Sequence, residues 1–178
     1  SRLDNWSNHY NLGIYYQHKG EADEALNSYE TAARLYPESI MPLINSSVLY
    51  SYIGNPAKAE ENLKKVLEMD PGNEAANLNL GLLLAEQGRL EEAENALRAV
   101  LLTNPKSAVA AKNLSVIVAP KNIDEAVAFA EIAVKAVPEN PEYGYTLAYY
   151  QIESGKKNEA IKTLKEIIQL NPEYLNAI

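Results

Sequence analysis

The sequence predicts an all-α chain, a solenoid of antiparallel helix-turn-helix units, and three observations carry that prediction. Landmark residues recur every 34 positions along the 178 residues. Apolar residues inside each recurrence follow a helical period. Glycine or proline closes the helical stretches. Pro37, Pro71 and Pro105 are 34 apart, Pro138 follows after 33, and Pro172 after another 34. Ala25, Ala59, Ala93, Ala126 and Ala160 keep the same step, as do Leu12, Ser46, Leu80, Leu114 and Leu147. Columns that all shorten at one point define units 6–39, 40–73, 74–107, 108–140 and 141–174 of a single domain spanning 1–178.

The elements follow in order. In the first unit a helix through Leu12 and Gly13 ends near His18 and Gly20, and a second runs through Ala25 towards Pro37. The second unit repeats this with Ser46, Ser47, Ala59 and Pro71. In the third, Leu80, Leu83 and Leu84 recur at i, i+3 and i+4 until Gly88 stops the helix, as glycine does beyond a C-cap. Leu90, Ala93, Leu97 and Val100 form the next stripe, which Asn104-Pro105 ends because a residue before proline avoids the α region. The fourth unit contains "SVIVAPKNIDEA", which alone reads as a strand running into a turn. In register it is a first helix stopped early by Pro120, with one residue and the turn glycine lost. Asn122 and Glu125 supply a capping-box-like start for the next helix, so the turn should tighten and the stacking angle change. The fifth unit returns to the pattern with Leu147, Ala148 and Ala160. Residues 175–178 are expected to begin a further helix, and Arg2 to Asn5 to form the tail of a preceding unit. With the Ser-Arg start, both ends suggest a piece excised or processed from a longer protein.

One helix pair cannot bury two apolar stripes, so the units must stack. Small residues set the helix separation: Gly13, Ser47, Gly81, Ser115 and Ala148 share the eighth place of the unit and are expected to face the alanine column at the twentieth.

Composition narrows the function. Sixteen basic residues against 24 acidic ones give a net charge of −8, and no Lys/Arg cluster stands out. Nucleic acid, which needs phosphate-neutralising residues, is therefore a poor partner, and an anionic membrane surface is disfavoured likewise. The absence of cysteine removes disulfides, thiolate catalysis and Cys-ligated zinc and is neutral on compartment, so localisation stays unassigned with the cytoplasm as default. No apolar run reaches the ~18 residues of a membrane helix. Only two histidines exist: His9 sits at a packing place and His18 near a helix end, where a cation suits the dipole. No metal-binding, phosphate-loop or nucleophile motif can be assembled. Glu60-Glu61, Glu91-Glu92 and Asp124-Glu125 open second helices and read as solvated faces, not acid/base pairs. The reading is non-catalytic, with no cofactor and no metal.

Stretches such as "NLGIYYQHKGEADEALNSYETAARLYP" resemble the tetratricopeptide repeat, over residues 6 to 174. His9, Asn77, Ala111 and Gly144 depart at the fourth place, and Gln151 at the eleventh; these are expected to loosen packing within a pair. The resemblance implies a superhelix whose first helices line a concave groove. On its register the fifth place holds Tyr10, Ile44, Leu78, Lys112 and Tyr145, and the ninth Ile14, Val48, Leu82, Val116 and Tyr149. The sixth holds Asn11, Asn45, Asn79 and Asn113, whose amides could hold an extended main chain as in the asparagine ladders of some family members. An exposed apolar strip of this kind is usually covered by a partner. Tyr10, Tyr52, Tyr145 and Tyr149 are candidate anchors, since tyrosine gives large contact area at low entropy cost. The Lys-and-Asn clamp with which some members grip chaperone tails is missing, because Lys112 is followed by Val116 where asparagine is needed. The implied function is a scaffold binding an extended or helical peptide. The alternatives are a self-assembly module with a second copy as partner, or a regulatory or targeting domain of a longer enzyme.

Overall fold

The computed structural model describes residues 2–172, with side chains from residue 5 onward. Ten α-helices follow one another: α1 (Arg2–Lys19), α2 (Ala22–Leu35), α3 (Met41–Tyr52), α4 (Pro56–Met69), α5 (Glu74–Glu86), α6 (Leu90–Thr103), α7 (Ala108–Val118), α8 (Ile123–Ala136), α9 (Pro141–Glu153) and α10 (Lys157–Leu170). No strand occurs among the described residues, and the fold is the all-α helical-repeat solenoid the periodicity predicts. Arg2 to Asn5 belong to the first turns of α1 instead of lying outside it, while residues 175–178 lie outside the described part.

The helices form two compact units, Ser1–Arg89 and Leu90–Ile178. In the first, α1 packs chiefly on α2 and α3 on α4; in the second, α7 packs on α8 and α9 on α10. Each contact buries the small-residue columns. Ala25, Ala59, Ala93 and Ala126 are fully buried, and Ser47, Ser115 and Ala148 nearly so. Larger side chains fill the remaining space: Tyr29, Leu63 and Val66 in the first unit, Leu97, Val100, Leu114 and Val118 in the second. At Gly13 it is the Tyr29 ring, not the alanine column, that takes the space beside the glycine: an added Cβ would stand 2.5 Å from Tyr29 Cε1.

At Gly144, Gln151 and Asn77 the expected loosening is not found. At Gly144 the volume is taken by Ile167, whose Cδ1 and Cγ1 would both be 2.5 Å from an added Cβ. Gln151 is buried, and its Oε1 accepts a 2.9 Å hydrogen bond from Thr163. Asn77 is buried too, with its amide donating to Pro71 O and Asn73 O. These three departures are filled by a larger partner or by a hydrogen bond, as a close-packed interior requires.

The turns within the pairs explain the lost residue. In four units a glycine adopts the left-handed conformation: Gly20, Gly54, Gly88 and Gly155, with φ between 75° and 81°. That geometry lets the next backbone N–H reach five residues back, as Glu21 does to Tyr16 O, Asn55 to Tyr50 O, Arg89 to Leu84 O and Lys156 to Gln151 O. Each acceptor is the eleventh place of its unit. In the fourth unit Asn122 N donates to the equivalent carbonyl, Val118 O, at 2.8 Å, from one residue nearer. With one residue fewer no left-handed residue is needed, and among the described residues no non-glycine residue has positive φ. The Asn122 side chain caps α8 by accepting from Glu125 N at 3.2 Å. The turn is tightened as predicted, and α7 ends at Val118 beside Pro120. Gly54→Ala, at φ 77°, should cost about 1–2 kcal/mol in urea denaturation, the penalty of placing a Cβ in the left-handed region. Lys121→Ala in the fourth turn should cost nothing comparable.

Candidate functional site

Charge is unevenly divided between the two sets of helices. α3 carries no charged residue, α5 two, α7 one and α9 two, whereas each of the second helices α2, α4, α6, α8 and α10 carries at least four. These four first helices therefore offer an almost uncharged surface, whereas α1 carries Arg2, Asp4 and Lys19.

In the first unit, Val48 is 45% exposed and stands between two hollows. One, about 160 Å³, lies between α3 and α5 and is lined by Val48, Asn79, Leu82 and Glu86. The other, about 300 Å³, is lined by Gln17, Val48, Leu49 and Tyr52, and the Tyr52 ring is almost wholly exposed. Ile14, Ile44, Leu78 and Leu82 are half-buried. Tyr10 is occupied inside the unit: its ring lies 6.2 Å from Trp6 and 5.9 Å from Tyr29, and its hydroxyl accepts from Asn45 Nδ2 at 3.1 Å. Of the two candidate anchors in this unit, that leaves Tyr52, not Tyr10, exposed.

In the second unit, Val116 is exposed on α7, and Tyr145 and Tyr149 on α9. The Tyr149 ring rests against Tyr150 at 5.4 Å. Tyr150 itself is buried, and burial pushes its hydroxyl pKa up against the lowering influence of Ser115. Lys112 interrupts the apolar fifth place, and its Nζ lies 2.8 Å from Glu142 Oε1, tying α7 to α9.

The asparagine column is divided in the same way. Asn45 donates to Tyr10, and Asn113 Nδ2 donates back to Val109 O of its own helix at 2.8 Å. Thr146, which takes the place in the fifth unit, likewise bonds Glu142 O. Asn11 is exposed and Asn79 lines the α3–α5 hollow, so these two present open amides.

The polar clusters that the sequence reading missed lie mostly on second helices. Glu60 accepts from Arg89 at 2.6 Å and pairs with Lys64 at 2.7 Å, and it is 15% exposed. It is a structural bridge and not the solvated charge expected from its position. The Arg89 and Lys64 hydrogen bonds hold its carboxyl below the usual glutamate range. A lowered carboxyl pKa stabilises the fold above the unfolded-state value and loses that contribution as pH falls through the folded one. Glu60→Gln should therefore cost about 0.5–1 kcal/mol at neutral pH, and the difference from the parent should shrink below about pH 4.3 in urea titrations. In the second unit Arg98 bridges Glu94 and Glu125 at 2.8 and 2.7 Å, and its guanidinium stacks 5.2 Å from the Phe129 ring. Among the described residues no group of His, Asp or Glu side chains could hold a metal, and no helix is long and apolar enough to cross a membrane.

Comparison with known proteins agrees with this architecture. Solved structures of similar fold include MamA from Desulfovibrio magneticus RS-1, with TM-score 0.82, 20% identity, and 96% of this chain and 97% of that one covered. Another is Pseudomonas aeruginosa PilF, with TM-score 0.80, 22% identity, and coverage of 94% and 77%. A third is YrrB, described as a tetratricopeptide-repeat protein with an unusual peptide-binding site, with TM-score 0.75, 17% identity, and coverage of 94% and 87%. No curated protein matches the sequence. Three family models described as tetratricopeptide repeat match residues 6–72, 54–114 and 142–174. With those matches lying on a series of paired helices, the chain belongs to the tetratricopeptide repeat family.

Proposed function

We propose that the protein is a non-catalytic interaction scaffold that holds an uncharged, apolar peptide segment of a protein partner, extended or helical, against its first helices. The observation that carries this reading is the near absence of charge from α3, α5, α7 and α9, combined with exposed Val48, Tyr52, Val116, Tyr145 and Tyr149 on those helices. Apolar side chains held open to water gain by being covered, at roughly 25 cal/mol per Å². A charged ligand would lose hydration there with little ionic compensation, which disfavours nucleic acid and acidic tails. The open amides of Asn11 and Asn79 suit a main chain, while Asn45 and Asn113 are already partly engaged. The peptide-binding description of YrrB supports the general mode but not the site.

Tyr149→Ala and Val116→Asp test it. Both side chains are exposed, so melting curves should stay within about 0.5 kcal/mol of the parent, as at surface positions generally. Binding of an apolar, uncharged peptide from a displayed library, followed by fluorescence anisotropy, should weaken by 10-fold or more, about 1.4 kcal/mol. Unchanged affinity in both variants would sink the proposal. Asn79→Ala alone should cost less, about 0.5–1.5 kcal/mol for one hydrogen bond.

A further inference from the structure

The two units carry equivalent clefts on their second-helix sides. In the first unit a cleft of about 310 Å³ is bounded by α2, α3 and α4, with Ser46 and Tyr50 of α3 in its lining. In the second, a cleft of about 390 Å³ is bounded by α8, α9 and α10, with Leu147 and Gln151 at the same places of the repeat. The outer wall of the first is α4, which presents Lys58, Glu61 and Lys65. The outer wall of the second is α10, which presents Glu159, Lys162 and Glu166.

These six residues occupy identical places, the nineteenth, twenty-second and twenty-sixth of their units, and the sign is reversed at every one. The spacing i, i+3, i+7 puts each triplet on one helical stripe. The other second helices lack such a triplet: the same places hold Glu24, Asn27 and Thr31 on α2, Glu92, Asn95 and Ala99 on α6, and Glu125, Ala128 and Ile132 on α8. All six charged residues are exposed. Their present pairings are within their own helix or unit and open to solvent: Lys65 with Glu61 at 2.6 Å, Lys162 with Glu166 at 3.8 Å, and Lys58 with the Tyr50 hydroxyl at 3.3 Å.

We propose that the α4 cleft of one molecule docks against the α10 cleft of a second copy, the basic-acidic-basic stripe meeting the acidic-basic-acidic one. The partner is a second copy because the complement of each stripe is present on the chain itself. Each stripe reads the same in both directions, so the charges match whether the two helices run parallel or antiparallel. The contact is heterologous: it uses a different surface on each molecule and generates closed rings, or open chains with one cleft free at each end. This surface is separate from the first-helix face and does not depend on the peptide reading.

The test is sedimentation velocity of the whole chain from micromolar to millimolar concentration at low and high salt. The expected result is a mass that rises with concentration and falls with salt, since exposed ion pairs are screened. Lys58→Glu/Glu61→Lys/Lys65→Glu makes both stripes acidic-basic-acidic, and Glu159→Lys/Lys162→Glu/Glu166→Lys makes both basic-acidic-basic. Each variant alone should self-associate at least ~10-fold more weakly, while an equimolar mixture of the two should associate like the parent. Glu61→Lys/Lys65→Glu, which spares the Lys58–Tyr50 bond, should also weaken association and covers the case in which the triple variant does not fold. A parent that stays monomeric at every concentration, association indifferent to salt and to the reversals, or a mixture that fails to associate would each overturn the proposal.

Discussion

Replacing Tyr29 by alanine is expected to destabilise the first unit by about 3–5 kcal/mol, the usual cost of deleting a buried aromatic ring. Tyr29 is fully buried and is the largest such side chain among the described residues. Its ring closes over Gly13 on α1 and lies 5.9 Å from Tyr10. Both neighbours lie on α1, so deleting the ring removes packing between α1 and α2. Tyr29→Phe removes only the hydroxyl, which donates to Gln17 Oε1 at 2.6 Å, and should cost about 0.5–1.5 kcal/mol. Urea denaturation followed by circular dichroism separates the two. Should Tyr29→Ala unfold within 1 kcal/mol of the parent, the ring is not what joins α1 to α2.

The register that places Tyr29 was readable without coordinates, because period and turn chemistry agree. The alanine column, the small eighth place and the helix-ending glycines each impose the same 34-residue spacing. Even the defect at Pro120 was readable, since a missing residue shifts every later column by one. Its compensation was not. That the Asn122 amide takes over a carbonyl served elsewhere by a residue after glycine depends on backbone direction, which spacing does not encode.

The candidate site was legible in part for the same reason. Repeat position says which face a residue occupies, and the exposed Val48, Val116 and Tyr149 follow from it. It does not say which neighbour a side chain will reach. Tyr10 and Asn45 are 35 residues apart and meet through one hydrogen bond, and Lys112 finds Glu142 on the next first helix. Asn113 turns back on its own helix. Each of these takes a residue with the right address partly out of an even row, through rotamer choices that a one-dimensional pattern leaves open.

The same limit hid the packing at Gly144, and the second large expected effect is there. Ile167→Ala should cost about 2–5 kcal/mol, because Ile167 is buried and its side chain fills the space left by the missing Cβ of Gly144. Gly144→Ala should cost about 1–3 kcal/mol despite alanine being the better helix former by up to ~1 kcal/mol, since its Cβ would need to share space with Ile167 Cδ1 and Cγ1. The two changes must not add. In an Ile167→Ala background the new methyl enters a vacated volume, the clash disappears and the helix-propensity gain remains, so Gly144→Ala should become neutral or stabilising there. Two residues in contact are where additivity fails, and a coupling of 1 kcal/mol or more in the double-mutant cycle is the expected result. Additive costs would mean that α9 and α10 move apart to admit the methyl, and that glycine at this position is a helix defect and not one half of a fitted pair.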